Sequence, residues 1–112
     1  MANVDGKIGA YLGFCIRSGN IVFGVDRAES VKKGIYLLIA DGTLSENSMK
    51  SLVKLKERFN CPLLVTEGTE LGELLHRPAV KAAAIKDKNL ASAVLAAAEG
   101  DTSYKLYSGG NN

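Results

Sequence analysis

The sequence predicts an α/β fold, a three-layer α/β/α sandwich with a four-stranded mixed sheet and about five helices. Three observations lead to this prediction. The chain has 112 residues, which is the length of a single domain. Helix-like and strand-like segments alternate strictly along it, and one sheet with helices on both faces satisfies that order most economically. Residues 35–40 (IYLLIA) are continuously apolar, which is typical of a strand covered on both faces.

The first helix is predicted from apolar residues that recur with helical spacing across residues 8–16. Asp5 stands where an N-cap is expected, and Gly19 where a left-handed residue ends a helix. The short apolar run of residues 21–23 predicts the first strand.

Residues 24–33 form the second predicted helix, because acidic residues come early in it and lysines late. That order complements the helix dipole. Gly34 is expected to stop the helix before the apolar strand of residues 35–40.

The third helix is predicted to open with a capping box, in which Thr43 is followed three residues later by Glu46. Pro62 then marks the start of a strand at residues 63–66, since proline is tolerated at a first strand position. The buried stripe of the third helix is expected to consist of Met49, Leu52, Val53, Leu55 and Phe59.

The last third of the chain predicts a short helix capped by Thr69, a strand at residues 80–85 and a final helix capped by Asp87. Residues 1–100 are therefore expected to form one domain. Residues 101–112, which end in SGGNN, are expected to be a flexible polar tail.

Composition narrows the classes of function. The chain is 46% hydrophobic and 23% charged with a net charge of +2, which argues against a disordered chain. Cys15 and Cys61 lie in apolar stretches, and no apolar run approaches a membrane span. A cytoplasmic protein is expected. The aromatic content of 6% disfavours a surface that binds single strands chiefly by stacking.

Enzymatic motifs are missing from the sequence. Neither GxGxxG nor GxxxxGK[ST] occurs. His76, the only histidine, has no neighbouring cysteine or paired carboxylates with which to make an acid–base site. A non-enzymatic protein is therefore predicted, with no cofactor, no metal and no small-molecule substrate.

Two loops remain as candidate binding sites. Asp41 follows a buried strand at the carboxyl end of the predicted sheet, where ligands bind in open α/β folds. The alternative is that Asp41 and Thr43 only cap the next helix. Gly24 permits a sharp turn into a helix whose first N–H groups can meet a phosphate or a base edge, although a glycine before a helix is more often only a turn. Basic residues lie near it in the sequence: Arg17, Arg27, Lys32 and Lys33.

Four segments covering most of residues 8–98 resemble, in order and spacing, the kink-turn RNA-binding family of ribosomal protein L-seven-Ae, which has the ribosomal L-thirty-e-like fold. Bacterial YlxQ-type proteins are the most similar branch. The segments are LGFCIRSGNIVFGVDRAESVKKG, YLLIADGTLSENSMKSLVKL, CPLLVTEGTELGELL and AVKAAAIKDKNLASAVL.

The resemblance implies a cytoplasmic, ribosome-associated or regulatory RNA-binding protein that recognises a kink-turn. It implies that a glycine-led helix start contacts tandem sheared G·A pairs, that two further loops flank it, and that basic residues contact phosphates. By position, the helix start consists of Gly24, Val25, Asp26 and Arg27. The first loop consists of Asp41, Gly42 and Thr43, and the second of Glu67, Gly68 and Thr69, leading into Leu71 and Gly72. The implied phosphate contacts are Arg17, Arg27, Lys32 and Lys33.

A different class of function stays open, a protein-interaction module on the same fold without specific RNA binding. Its partner would face the acidic middle third of the chain, including Glu67, Glu70 and Glu73. The two hypotheses differ in one structural expectation. Convergence of the four basic residues beside the loops at Gly24 and Asp41 is expected for RNA binding, and their dispersal favours the interaction module.

Overall fold

The computed structural model describes residues 3–107, with side chains from residue 7 onward. Five helices and five strands alternate along these residues, so the α/β prediction is confirmed with one strand more than expected. The elements are α1 (Asn3–Arg17), β1 (Ile21–Phe23), α2 (Val25–Ser30), β2 (Leu37–Ala40), α3 (Glu46–Phe59), β3 (Leu63–Thr66), α4 (Leu71–Leu75), β4 (Ala82–Ile85), α5 (Lys88–Ala98) and β5 (Tyr104–Leu106).

The strands form one mixed sheet in the order β1-β4-β2-β3-β5. β2 and β3 are parallel, β4 is antiparallel to both β1 and β2, and β5 is antiparallel to β3. The first three strands therefore finish at the same end of the sheet, where β4 and β5 begin. We call this the loop end, and the other the opposite end.

Helices cover the sheet on both faces. α1, α4 and α5 pack on one face, and α2 and α3 pack on the other. Side chains of β2 alternate between the two cores, with Leu37 and Ile39 in the first and Leu38 and Ala40 in the second. All four are buried, so two-sided burial explains the continuous apolar run in the sequence.

Of the four predicted helix caps, Asp87 is confirmed, whereas Asp5, Thr43 and Thr69 are wrong. Ser45, not Thr43, caps α3, and its hydroxyl accepts a hydrogen bond from the Ser48 N–H at 3.2 Å. Glu70, not Thr69, stands at the N-cap of α4, without a side-chain bond. Asp87 caps α5 as predicted, accepting from the Leu90 N–H at 2.9 Å.

The remaining differences at helix ends concern α1 and α2. α1 begins at Asn3, so Asp5 lies within the helix and does not cap it. Gly19 follows it with φ +74°, as expected. α2 ends three residues earlier than predicted, because Val31 is extended (φ −74°, ψ 131°) and packs partly buried against the α2–α3 core. Lys32 and Lys33 therefore lie outside the helix.

The predicted tail contains a strand. Tyr104 is 7% exposed in the α1–α4–α5 core, and β5 pairs with β3 through the registers Thr66↔Tyr104 and Leu64↔Leu106. The strand forms because it satisfies the free side of β3 while burying one aromatic ring. Residues 108–112, the rest of the predicted tail, lie outside the described residues.

Replacing Tyr104 by alanine tests whether β5 belongs to the fold. We expect Tyr104→Ala to lower the free energy of unfolding by about 3 kcal/mol, because a buried ring is lost, measured by urea denaturation. Lys105→Ala is the control, since its side chain is 68% exposed and its ion pair with Glu67 spans 3.8 Å. Equal stability of the two variants would contradict the assignment of Tyr104 to the core.

Candidate functional site

Four segments meet at the loop end of the sheet: residues 24–27, 41–43, 67–69 and 77–81. Backbone hydrogen bonds connect neighbouring segments there. The Gly24 N–H donates to the Ala82 carbonyl at 2.8 Å, and the Asp41 N–H donates to the Lys81 carbonyl at 2.9 Å. The loops predicted from the sequence to form one surface therefore lie at one end of the sheet, together with the segment that precedes β4.

The carboxylate of Asp41 organises this end of the molecule. The residue is 5% exposed. Its Oδ2 accepts from the N–H of Thr43 at 3.0 Å and from the Thr43 hydroxyl at 2.6 Å, and its Oδ1 accepts from the Leu71 N–H at 2.8 Å. Asp41 thus binds the first turn of α4, thirty positions along the chain. The alternative that Asp41 and Thr43 cap the next helix is wrong, because Ser45 caps α3. The Asp41 carboxylate instead accepts from the first N–H of α4.

Opposing effects set the pKa of Asp41. Burial raises it, but hydrogen bonds from the Thr43 hydroxyl, the Leu71 N–H and the Thr43 N–H, together with the positive charge of Lys81, outweigh burial. The pKa therefore lies below its ordinary value, and the ionised form is the one that the fold stabilises.

Three of the predicted contact residues have scaffold roles. Leu71 is fully buried in the α1–α4–α5 core. A Cβ on Gly72 would lie 2.8 Å from the backbone oxygens of Arg77 and Pro78, and one on Gly42 would overlap the Thr66 carbonyl oxygen. The two glycines are required because the chain packs closely on itself there.

One half of the loop end is basic. Arg27 and Lys81 are exposed and line one depression together with Gly24 and Asp26. Gly24 has φ +91°, which only glycine adopts readily. Beside them, the guanidinium of Arg77 lies 4.8 Å from the ring centroid of Phe23. We call this set of residues, Gly24–Arg27 with Arg77 and Lys81, the basic half.

Sequence reasoning missed Arg77 and Lys81. The Lys81 ammonium donates to the Thr43 hydroxyl at 2.7 Å, so it connects the basic half with the Asp41 loop. The missing signal was strand direction. Because β4 is antiparallel to β2, the residues before β4 lie at the loop end, whereas in an all-parallel sheet they would lie at the other.

The other half of the loop end is acidic. Glu67 and Glu70 are exposed and line a second depression with Gly42, Gly68 and Thr69. The Glu67 carboxylate forms an ion pair with Lys105 at 3.8 Å. This side of the loop end therefore carries mainly negative charge.

The predicted basic residues do not all converge. Arg17 lies at the carboxyl end of α1, before β1, with its guanidinium 4.9 Å from the ring centroid of Phe14. Lys32 and Lys33 precede β2. All three are at the opposite end of the sheet, and only Arg27 is at the loop end.

The remaining reactive side chains are an exposed histidine and two buried thiols. His76 is exposed and ends α4 with φ +57°. Cys15 and Cys61 are free thiols, and burial raises the pKa of each to about 11, so both stay protonated and weakly nucleophilic. Within residues 3–107, no three His, Cys, Asp or Glu side chains are grouped to hold a metal ion. No helix in that range has both the length and the apolarity to span a bilayer.

Comparison with known proteins supports the fold and gives no information on function. No family model and no curated protein matches the sequence. Among solved structures, a protein of unknown function from Bacillus halodurans is similar with a TM-score of 0.73 and 18% identity, covering 83% of this chain and 97% of that one. The shared architecture confirms the α/β fold.

Asp41→Asn tests the carboxylate network through its pH dependence. At pH 7 we expect the substitution to lower the free energy of unfolding by about 1–3 kcal/mol, because hydrogen bonds to the charged acceptor are lost. Since the folded pKa lies below the unfolded value of about 3.9, the stabilisation is present above about pH 4 and is lost as the pH falls through the folded pKa. The difference in the free energy of unfolding between wild type and Asp41→Asn should therefore become smaller as the pH falls below about 4.

The measurement is urea denaturation at a series of pH values between 7 and 3. The control is Asp26→Asn, which removes an exposed carboxylate at the same end of the sheet and should change stability by less than about 0.5 kcal/mol. If the loss of unfolding free energy caused by Asp41→Asn stayed constant with pH, the ionisation of Asp41 would not be linked to folding.

Gly72→Ala tests whether this glycine serves the scaffold. We expect the free energy of unfolding to fall by about 1–3 kcal/mol, because the added methyl meets backbone oxygens that cannot move freely. Gly13→Ala in α1 is the matched control. Its Cβ would meet only the flexible Arg17 guanidinium, at 3.6 Å, and alanine favours a helix interior by about 1 kcal/mol. The midpoint of thermal unfolding should fall for Gly72→Ala and rise for Gly13→Ala. An unchanged midpoint for Gly72→Ala would rule out the close packing.

Proposed function

We propose that the protein binds a structured RNA through the basic half of the loop end, and that the RNA is a kink-turn. The observation that carries the proposal is the position of Arg27, Arg77 and Lys81 around the Gly24 turn. Cations beside a tight glycine turn match the two requirements of RNA recognition, phosphate contact and close backbone approach.

The charges of the loop end indicate how the RNA is oriented. Phosphates are attracted to Arg27, Arg77 and Lys81, whereas Glu67 and Glu70 repel them. An RNA bound here therefore lies over the β1 and β4 side of the loop end. The β3 side makes fewer phosphate contacts, so Glu67, Gly68 and Thr69 form the border of the interface.

Asp26 supports base recognition in this position. Its carboxylate is exposed and lines the same depression as Arg27 and Lys81. A carboxylate flanked by cations can accept hydrogen bonds from the Watson–Crick edge of guanine while the cations offset its repulsion by phosphate. In the proposed complex, Asp26 reads a base and the cations position the RNA.

The structure also favours a second candidate, a protein-interaction module. Arg17, Lys32 and Lys33 do not join the loop end, and the exposed Glu67 and Glu70 form a separate acidic half. A protein partner with basic side chains would bind that half and leave the basic half free. Reversing both charges, Glu67→Lys with Glu70→Lys, should abolish such binding and should not weaken RNA binding.

A titration with two RNAs tests the leading proposal. A kink-turn RNA should bind at least about tenfold more tightly than a control lacking its tandem G·A pairs, because lost base contacts cost about 1–3 kcal/mol each. Filter binding at several salt concentrations measures both affinity and salt slope. Equally weak binding to both RNAs with the same salt slope would refute kink-turn recognition.

Arg27→Ala should weaken binding of the kink-turn RNA about fivefold and lower its salt slope by about 1, since one phosphate contact is removed. The midpoint of thermal unfolding should stay nearly unchanged, because the side chain is exposed. Lys88→Ala, an exposed lysine at the opposite end, is the matched control. A large loss of stability on Arg27→Ala would instead assign Arg27 to the scaffold.

A further inference from the structure

A cleft opens at the opposite end of the sheet, between the segment that precedes β2 and the end of α3. This open cleft has a volume of about 460 Å³, enough for a nucleotide-sized group. Five side chains give it its chemistry, and we call them the basic cleft: Lys32, Lys33, Tyr36, Arg58 and Asn60.

The basic cleft carries three positive charges and no negative one. No aspartate or glutamate lines it. Among the side chains of residues 7–107, no carboxylate lies within 4 Å of its basic nitrogens, since the single ion pair found there joins Lys105 and Glu67. Three uncompensated cations in a protein of net charge +2 produce a local field that attracts an anion.

Arg58 is held in place by the chain that forms the other wall. Its guanidinium donates to the Val31 carbonyl at 2.6 Å and to the Glu29 carbonyl at 3.5 Å, and it lies 4.8 Å from the ring centroid of Phe59. A guanidinium has five N–H donors, so this arrangement leaves donors for a ligand. Because the side chain is already ordered, binding loses little conformational entropy.

Tyr36 adds an aromatic surface to these cations. It is 41% exposed, one of three large apolar side chains so exposed within the described residues. Its backbone is fixed, since the Tyr36 N–H donates to the Ile85 carbonyl at 2.9 Å. A half-exposed ring next to lysines is the combination on which nucleobases stack while their phosphates are neutralised.

We propose that the basic cleft binds single-stranded RNA, with a base stacked on Tyr36 and the flanking phosphates on Lys32, Lys33 and Arg58. Charge supplies most of the affinity and the single ring orients the strand, in keeping with the low aromatic content. The site lies at the other end of the sheet from the loop end. Together with the proposed function, on which this last point rests, the two sites would let the protein bind a folded and an unpaired RNA element at once.

Fluorescence anisotropy with labelled octauridine tests this site in the full chain. Lys32→Ala with Lys33→Ala should weaken binding about tenfold at 0.1 M salt and lower the salt slope by about 1.4, since each single-strand phosphate contact contributes about 0.7. Tyr36→Ala should weaken binding about fivefold with an unchanged slope. Tyr36→Phe should restore affinity, because it keeps the ring.

The matched control is Lys7→Ala with Lys88→Ala, which removes the same charge from exposed positions on α1 and α5. It should leave octauridine affinity within about twofold of wild type. An equal loss in this control, or no binding by wild type, would overturn the proposal. So would octaglutamate binding as tightly as octauridine with no effect of Tyr36→Ala, which would assign the cleft to an acidic protein segment. Octauridine forms no kink-turn, so this experiment and the kink-turn titration fail independently.

Discussion

A single buried carboxylate, that of Asp41, connects the parts of the molecule on which any function at the loop end depends. It receives hydrogen bonds from the turn that follows β2 and from the first N–H of α4. α4 has five residues and no side-chain cap of its own, and so short a helix is marginal in isolation. The shape of two loops and the start of one helix therefore follow from one charged group that is kept ionised by its donors.

The consequence for function is a division between scaffold and surface. Asp41, Gly42, Leu71 and Gly72 belong to the scaffold, because they are buried or packed against backbone. The exposed charged groups of the same end are the cations and the Asp26 carboxylate of the basic half and the glutamates of the acidic half. In the proposed function, the scaffold residues fix where Arg27 and Lys81 stand, and the exposed residues meet the RNA.

Strand direction decides where the charges lie. β1, β2 and β3 run the same way, so residues that follow them lie at one end and residues that precede them at the other. Lys32 and Lys33 are close to Arg27 in sequence but are separated from it because α2 ends at Ser30 and the chain then crosses to the amino end of β2. Lys81 is far from Arg27 in sequence yet joins it, because β4 runs in the opposite direction. Two separate basic sites result from one sheet.

The sequence by itself determined the element types, the two-sided burial of β2, the Asp87 cap and the left-handed Gly19, because these depend on side-chain periodicity and contacts within a few residues. It also placed the Asp41 loop at the carboxyl end of the sheet, and the family resemblance implied that the loops of Gly24 and Glu67 lie beside it. Only the tertiary structure decided that Asp41 binds the first N–H of α4, that Tyr104 starts a fifth strand, and that Lys32 and Lys33 stand apart from Arg27. The physical reason is the distance along the chain between the interacting groups. These features depend on hydrogen bonds and packing between segments distant along the chain, such as Asp41 with Leu71, and local patterns carry no information about which distant partner a group will meet.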